Sequence, residues 1–167
     1  MSAGAGGITP EVNRDLGRLA PKFAAAVTAA IDACNAAGMD AMVYEGYRSQ
    51  ELQAIYYARG RTVIPPKNKV TNAKTSLYSW HGYGLAVDVI SKSKLWTPAE
   101  GEKWFRKVAD IFKKHNCKWG GDWTDPDTPH FQWARCKPSP SDLARLLLAE
   151  DGHEAVWTAV GALETAR

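Results

Sequence analysis

Cysteine is scarce in this chain. Cys34, Cys117 and Cys136 are the only three among 167 residues. They are widely spaced, odd in number and form no CxxC pair, which argues against a cysteine-based zinc site. They read as free thiols, buried or at the surface, in a reducing compartment. Long hydrophobic runs are also missing. The longest apolar stretch, Phe23 to Ala33, is Ala-rich and broken by Thr28 and Asp32, well short of the roughly 20 residues a membrane span requires. Met1 to Thr9 lacks the basic start and Leu-rich run of a signal peptide, which argues against Sec export. Neither sign of charge dominates: 21 Lys+Arg face 18 Asp+Glu for a net charge of +3. A nucleic-acid-binding domain usually shows a clustered basic face instead. No HExxH occurs, so the best-known zinc-peptidase signature is absent.

What is present is an ordinary globular composition, 45% hydrophobic and 23% charged, which excludes disorder, collagen and coiled coil. The length suits one domain, and no internal repeat or linker divides it. Tryptophan is the exception, with seven residues. Its large ring and its N–H both need partners, so a small Trp-rich domain often spends some of them around a site.

Residues 1–8 read as a flexible leader. Thr9-Pro10-Glu11 reads as a helix start. Leu16, Leu19, Phe23, Val27 and Ile31 continue it as a core-facing stripe, with a kink or split expected at Pro21 and a C-cap at Gly38. Ala41 to Arg48 reads as a strand ending on an arginine. Arg59 to Tyr78 carries five basic residues, no acidic ones and Pro65-Pro66. It reads as a long loop, either a functional lid or a solvated cationic segment. Leu85 to Ile90 reads as a strand with an Asp set into it. Thr97-Pro98-Ala99-Glu100 has the form of a capping box, and Trp104, Val108, Ile111 and Phe112 form the buried face of the helix that follows. Residues 117–133 read as irregular until a short strand, His130 to Trp133. Ser141 or Asp142 caps a final helix through Leu148, and a second amphipathic stretch covers Glu154 to Leu163.

Three segments hold polar residues that are costly where they stand. By the period of two, Ala86, Asp88 and Ile90 share one face of their strand. A carboxylate among Val and Ile pays a desolvation cost unless paired or metal-bound. Gly82 and Gly84 let the preceding loop fold back and bring His81 toward Asp88. Pro129 stiffens the approach to His130, whose face is shared with Gln132 while Phe131 and Trp133 point away. His81, Asp88 and His130 make a three-ligand zinc set with a fourth position left for water. Asp127, three residues before His130, is placed to act as general base and then acid. Arg48 at a strand end suits a carboxylate or the oxyanion of a tetrahedral intermediate. Scattered His and Asp more often cap or solvate than ligate, so spacing alone leaves both readings open.

The pattern Ser79-x-His81-x-x-Gly84-x-Ala86-x-Asp88, followed by Asp127-x-x-His130, resembles the signature of the VanY/VanX-type zinc D,D-peptidase superfamily. That superfamily covers D-alanyl-D-alanine carboxypeptidases, dipeptidases and phage L-alanyl-D-glutamate endopeptidases. Gly46-Tyr47-Arg48-Ser49 with Gln53 resembles its upstream motif, and Lys118 to Trp123 resembles the endopeptidase branch. Together the motifs cover roughly residues 40–135. The resemblance implies one Zn2+ held by His81, Asp88 and His130, Asp127 as catalytic acid/base and Arg48 as transition-state stabiliser. Ser79 and Gln53 match substrate-side or supporting positions. Gln132 departs from the pattern, since many relatives carry Glu there. Tyr83, Trp123 and Trp133 read equally as cleft walls or as core, and Asp122 and Asp125 as turn residues.

The expected fold is α+β: one domain over residues 9–167, with a small antiparallel sheet holding the zinc site and packed against several helices, and residues 141–167 helical. The expected activity is hydrolysis of an amide bond in the peptide stem of bacterial peptidoglycan, foremost an L-alanyl-D-glutamate endopeptidase acting as a phage endolysin. A D-alanyl-D-alanine carboxypeptidase or dipeptidase, and a non-catalytic zinc-bearing wall-binding module, are the alternatives. Peptidoglycan is the expected partner of a monomer that engages neither nucleic acid nor membrane. Without a signal peptide, a phage lysin stays in the host cytoplasm until a holin lets it reach the wall. Residues 141–167 hold two basic against five acidic residues, so little lysis from outside is expected.

Overall fold

A computed structural model describes residues 11–63 and 69–163. The expected leader and the Thr9-Pro10 helix start lie outside those residues, apart from Glu11. Residues 11–15 are not helical, and Leu16–Arg18 is one 3-10 turn capped by the Asp15 carboxylate, which accepts from Gly17 N at 2.8 Å. The long helix α1, Pro21–Ala36, starts at Pro21 rather than being kinked by it. The physical reason is that the first helical position has no intrahelical partner for an N–H, so proline costs nothing there. Phe23, Val27, Ala30 and Cys34 recur along its buried face. Gly38, at φ +80°, lets the chain leave the helix in the left-handed region.

Four strands form one antiparallel sheet in the order β1-β2-β4-β3. They are β1 (Ala41–Glu45), β2 (Ala86–Ser91), β3 (Cys117–Trp119) and β4 (His130–Trp133). β1 stops three residues short of Arg48, which lies in the turn before helix α2 (Gln50–Ala58), and the Ser49 hydroxyl caps α2 by accepting from Leu52 N. Helix α3, Glu102–Lys113, begins later than the Thr97-Pro98 motif predicts. Thr97 donates its hydroxyl to Lys94 O, and Glu100 pairs with Lys107, so neither serves as a cap. Residues 117–119 form an edge strand rather than irregular chain. At the C-terminal side, Ser141 caps α4 (Asp142–Asp151) as expected. Gly152 at φ +87° breaks the chain before α5 (His153–Ala159).

The alternation in β2 and β4 sets the layers. Val87 pairs with Phe131 on the face covered by helices, where Phe112 lies 4.4 Å from the Phe131 ring and Phe23 lies 6.3 Å from Trp133. The opposite face carries the cross-strand pairs Asp88 with His130 and Ala86 with Gln132. One sheet thus separates an apolar core from a polar layer, because its side chains alternate.

The tryptophan excess acquires a role here. The indole N–H groups of Trp80, Trp104, Trp119, Trp133 and Trp157 donate to Lys137 O, Met39 O, Thr128 O, Val160 O and Tyr83 O, each at 2.6–2.7 Å. Each tethers a loop or chain end to the body while its ring fills space. All three cysteines are buried and free. Burial pushes the Cys34 thiol up to about 11 and those of Cys117 and Cys136 to about 12. The thiolate is the reactive form, so the native protein should resist a thiol reagent at pH 8. Denaturant should then expose three equivalents, counted by absorbance.

Candidate active site

His81 sits in a 3-10 turn, Trp80–Tyr83, capped by the Ser79 hydroxyl, which accepts from His81 N; Gly84 ends it at φ +70°. A Cβ on Gly82 would lie 2.3 Å from Ser76 O, so only glycine lets the two turns approach this closely. The turn folds back onto β2 and places His81 Nε2 3.4 Å from Asp88 Oδ1. Asp88 stands beside His130 in the ladder, with His130 Nδ1 at 3.9 Å. The potential ligand atoms of His81, Asp88 and His130 all lie within 4.8 Å of one another.

Both imidazoles are oriented by the nitrogen that faces away. His81 Nδ1 lies 2.8 Å from Gly46 O. A carbonyl only accepts, so Nδ1 carries the proton and Nε2 presents its lone pair to the cluster. Gln132 donates its amide to Lys137 O, which fixes its Oε1 toward His130 Nε2 at 2.8 Å. His130 Nε2 therefore donates, and Nδ1 presents the lone pair. This arrangement, in which an outer acceptor sets the tautomer and aim of each ligand, is the one metal-binding histidines use. The Gln132 carbonyl oxygen is all that His130 Nε2 requires. Burial opposes ionisation of Asp88, yet His81, His130 and Arg48 outweigh it and hold the carboxyl well below the usual carboxylate range. Burial and the neighbouring His81 push His130 down to about 4, so it stays a neutral ligand. Two imidazoles and one carboxylate fit a tetrahedral cation with one open position.

Asp127 Oδ2 is 3.9 Å from His130 Nδ1, and the side chain is 52% exposed at the mouth of the cluster. Gly120 O accepts from Asp127 N at 2.9 Å, and Asp127 O accepts from His130 N at 3.2 Å, which fixes this loop against β4. Desolvation first, and repulsion from Asp88 second, raise its carboxyl to about 6.

Arg48 lies on the other side. Its Nη2 is 3.8 Å from Asp88 Oδ2, while Nε and Nη2 both donate to Glu45 Oε1 and Nη1 donates to Gln53 Oε1. Gln53 is fully buried and donates onward to Ala73 O, so it stands behind Arg48 rather than in the cleft. Glu45 is the functional neighbour that the motif reading passes over. It ends β1, pairs in register with Asp88, and keeps one buried carboxylate oxygen unpartnered. An acid three residues before the arginine at a strand end is the signal that marks it.

A cleft of about 1260 Å³ runs past these groups. Ser79 and Trp123 line it, as does Trp80, and the Trp123 ring packs 4.9 Å from His130. Two expected wall residues belong elsewhere. Tyr83 is fully buried with its hydroxyl on Leu77 O, and Trp133 faces Phe23 on the far side of the sheet. Trp133 follows His130 by an odd number of residues, so the pleat turns it away. Trp96, against Tyr44 at 4.7 Å, lines the cleft instead, together with residues 69–73 of the basic loop. Trp133→Ala should accordingly cost about 3–5 kcal/mol of stability, whereas Trp123→Ala should leave the melting temperature nearly unchanged and weaken substrate handling. Thermal melts of the two variants separate them.

Residues 72–133 match the family model described as D-alanyl-D-alanine carboxypeptidase. That segment is similar to the family. Over 105 residues, 57% of the chain, it is 34% identical to the peptidoglycan L-alanyl-D-glutamate endopeptidase CwlK of Bacillus subtilis (strain 168), and covers 61% of that protein. Over 123 residues, 71% of the chain, it is 29% identical to the L-alanyl-D-glutamate peptidase of Listeria phage A118, and covers 39% of it. The chain thus spans less than two thirds of either relative. Its fold is also that of solved peptidases. The LdcB LD-carboxypeptidase superposes with a TM-score of 0.55 at 16% identity, over 95% of this chain and 78% of that one. The VanY D,D-pentapeptidase of a VanB-type resistance cassette, solved with Zn(II), gives 0.51 at 17% identity over 78% of each chain. The matched segment contains Asp127 and the three clustered residues His81, Asp88 and His130, while Arg48 lies before it.

Proposed function

We propose that this chain is a zinc peptidase that hydrolyses an amide bond in the peptide stem of bacterial peptidoglycan, at the L-alanyl-D-glutamate linkage. The observation that carries this reading is the pair of oppositely tethered imidazoles. His81 is held through Nδ1 and His130 through Nε2, so two lone pairs converge with the Asp88 carboxylate on one point. The two similar proteins named above as L-alanyl-D-glutamate peptidases supply the choice of linkage.

His81, Asp88 and His130 would hold the ion. When bound, zinc supplies the Lewis acidity that acidifies water and polarises an amide carbonyl. Asp127 is the proton carrier: its exposed carboxylate takes a proton from the attacking water and returns it to the departing amine. Arg48 donates to the oxygen that gains charge in the transition state, which stabilises that state more than the ground state. Glu45 and Gln53 fix the guanidinium so that little reorganisation is needed. Trp123 closes one side of the cleft over His130.

We further propose that the chain works as a monomer and serves wall lysis in a phage setting, as a lysin that a holin passes from the host cytoplasm to the wall. Among the described residues no helix is long and apolar enough to cross a membrane. The test is mass spectrometry of fragments released from purified peptidoglycan by zinc-loaded protein. New N-terminal D-glutamate on the stems supports the reading. Release of terminal D-alanine instead assigns a carboxypeptidase, and binding without fragments assigns a wall-binding module.

A further inference from the structure

Charge is unevenly divided across the cleft. β1 and β3 are the two edges of the sheet, and the metal-binding cluster lies on β2, β4 and the turn before β2. The chain following β1 contributes Arg48, Tyr56, Arg59 and Lys69 to the lining, while the chain following β3 contributes Asp122, Asp125 and Asp127. Arg48 is balanced there by Glu45, and Asp122 by Lys113, so the net charge facing the cleft is Arg59 and Lys69 on one wall and Asp125 and Asp127 on the other, with the cluster between them.

The cations differ in what they are free to do. Arg48 is held by Glu45 and Gln53 and, in the reading above, serves the oxygen that gains charge at the scissile bond. Neither Arg59 nor Lys69 has a carboxylate within ion-pair distance among the described residues. Arg59 is nonetheless positioned. Its guanidinium lies 5.0 Å from the centre of the Tyr56 ring, and that of Arg48 lies 4.6 Å from the same ring. The two guanidiniums are thus separated by no more than roughly three residues of extended peptide. An arginine stacked on an aromatic face keeps its donor edge open and loses little further entropy when it binds a carboxylate.

We propose that Arg59, supported by Lys69, recognises a carboxylate of the peptide stem next to the scissile bond, and that the polarised cleft sets the direction in which the stem lies. This rests on the peptidoglycan reading above and names the substrate group that decides it. The free α-carboxylate of the glutamyl residue is the candidate group, because it sits on the carbon that bears the scissile nitrogen. A stem whose corresponding group is a carboxamide carries no charge there and loses the contact.

Binding measured by titration calorimetry on zinc-loaded, full-length Asp127→Asn protein tests this without depending on turnover. The probes are two L-alanyl-γ-D-glutamyl stem peptides that differ only in carboxylate or carboxamide at that position. The carboxylate peptide should bind about tenfold more tightly. Adding Arg59→Ala should erase that difference by weakening the carboxylate peptide alone, and Arg59→Lys should restore part of it. Equal affinities in the parent protein, or an equal loss on both peptides with Arg59→Ala, overturns the inference and leaves the peptidoglycan reading in place. Binding of neither peptide overturns both.

Discussion

Replacing Asp127 by asparagine should lower kcat/KM on peptidoglycan by about 10²–10⁴-fold, the usual contribution of a positioned acid/base. The change is nearly isosteric. The Asp127 backbone, which donates to Gly120 O and accepts from His130 N, keeps both bonds in the variant. A Cβ at Gly120 would lie 2.5 Å from Asp127 O, so the loop has little freedom to rearrange around the new side chain. Asp127 is not among the three clustered ligand residues, so zinc should remain bound at one equivalent, as read by atomic absorption. Losing activity while keeping zinc identifies the proton carrier; activity within a few-fold of the parent would assign that role to another group. The raised carboxyl also gives a direction for pH. In the metal-free chain, partial desolvation at the cleft mouth and the charge of Asp88 push the Asp127 carboxyl up to about 6. A folded-state value above the ordinary one means that this group's contribution to stability is present at low pH and fades as pH rises through about 6. A cation held by Asp88 reverses the main charge effect, so adding zinc should lower the Asp127 titration midpoint seen by carboxyl NMR.

His81→Ala carries the second large effect. It removes one of the three atoms placed to hold the proposed ion, together with the tether to Gly46 O. The variant should bind no stoichiometric zinc and should show no hydrolysis above background. Stability provides a readout independent of activity. A ligand at 1,000 times its Kd stabilises the folded state by about 4 kcal/mol, so zinc should raise the melting temperature of the parent protein and leave the variant unmoved. Retention of one tightly bound zinc by His81→Ala would show that the ion sits elsewhere.

Much of the site was legible because its residues lie in short local patterns. In the β2 and β4 segments, alternation already separated Asp88 and His130 from Val87 and Phe131, and the ladder confirmed the division by pairing each with its like. The glycines around His81 signalled a tight turn before any contact was known. Trp133 shows where that kind of reading stopped. Its neighbourhood in sequence suggested the cleft, but the pleat that aims His130 inward sends Trp133 into the core. Tyr83 failed for a similar reason: its hydroxyl closes on Leu77 O, a local bond that spacing does not reveal. Trp96 and the 69–73 segment join the cleft through contacts with parts of the chain far away in sequence.

The α3 start is the matching lesson for helices. Thr97 through Glu100 carry the side chains of a cap, yet Thr97 bonds backward to Lys94 and the helix waits for Gly101 at φ +58°. Local propensity was outweighed there by the turn that follows β2.

The sequence alone thus carried the strand alternation and the α+β class, because periodicity and desolvation cost act over a few residues, while the expected ligand set came from the resemblance of its motifs. Only the tertiary structure decided which nitrogen of each histidine faces the cluster, that Glu45 holds Arg48, and that a basic loop and an acidic loop face one cleft. Those outcomes depend on hydrogen-bond acceptors and charges brought from distant segments, and no local pattern encodes where a distant carbonyl will stand.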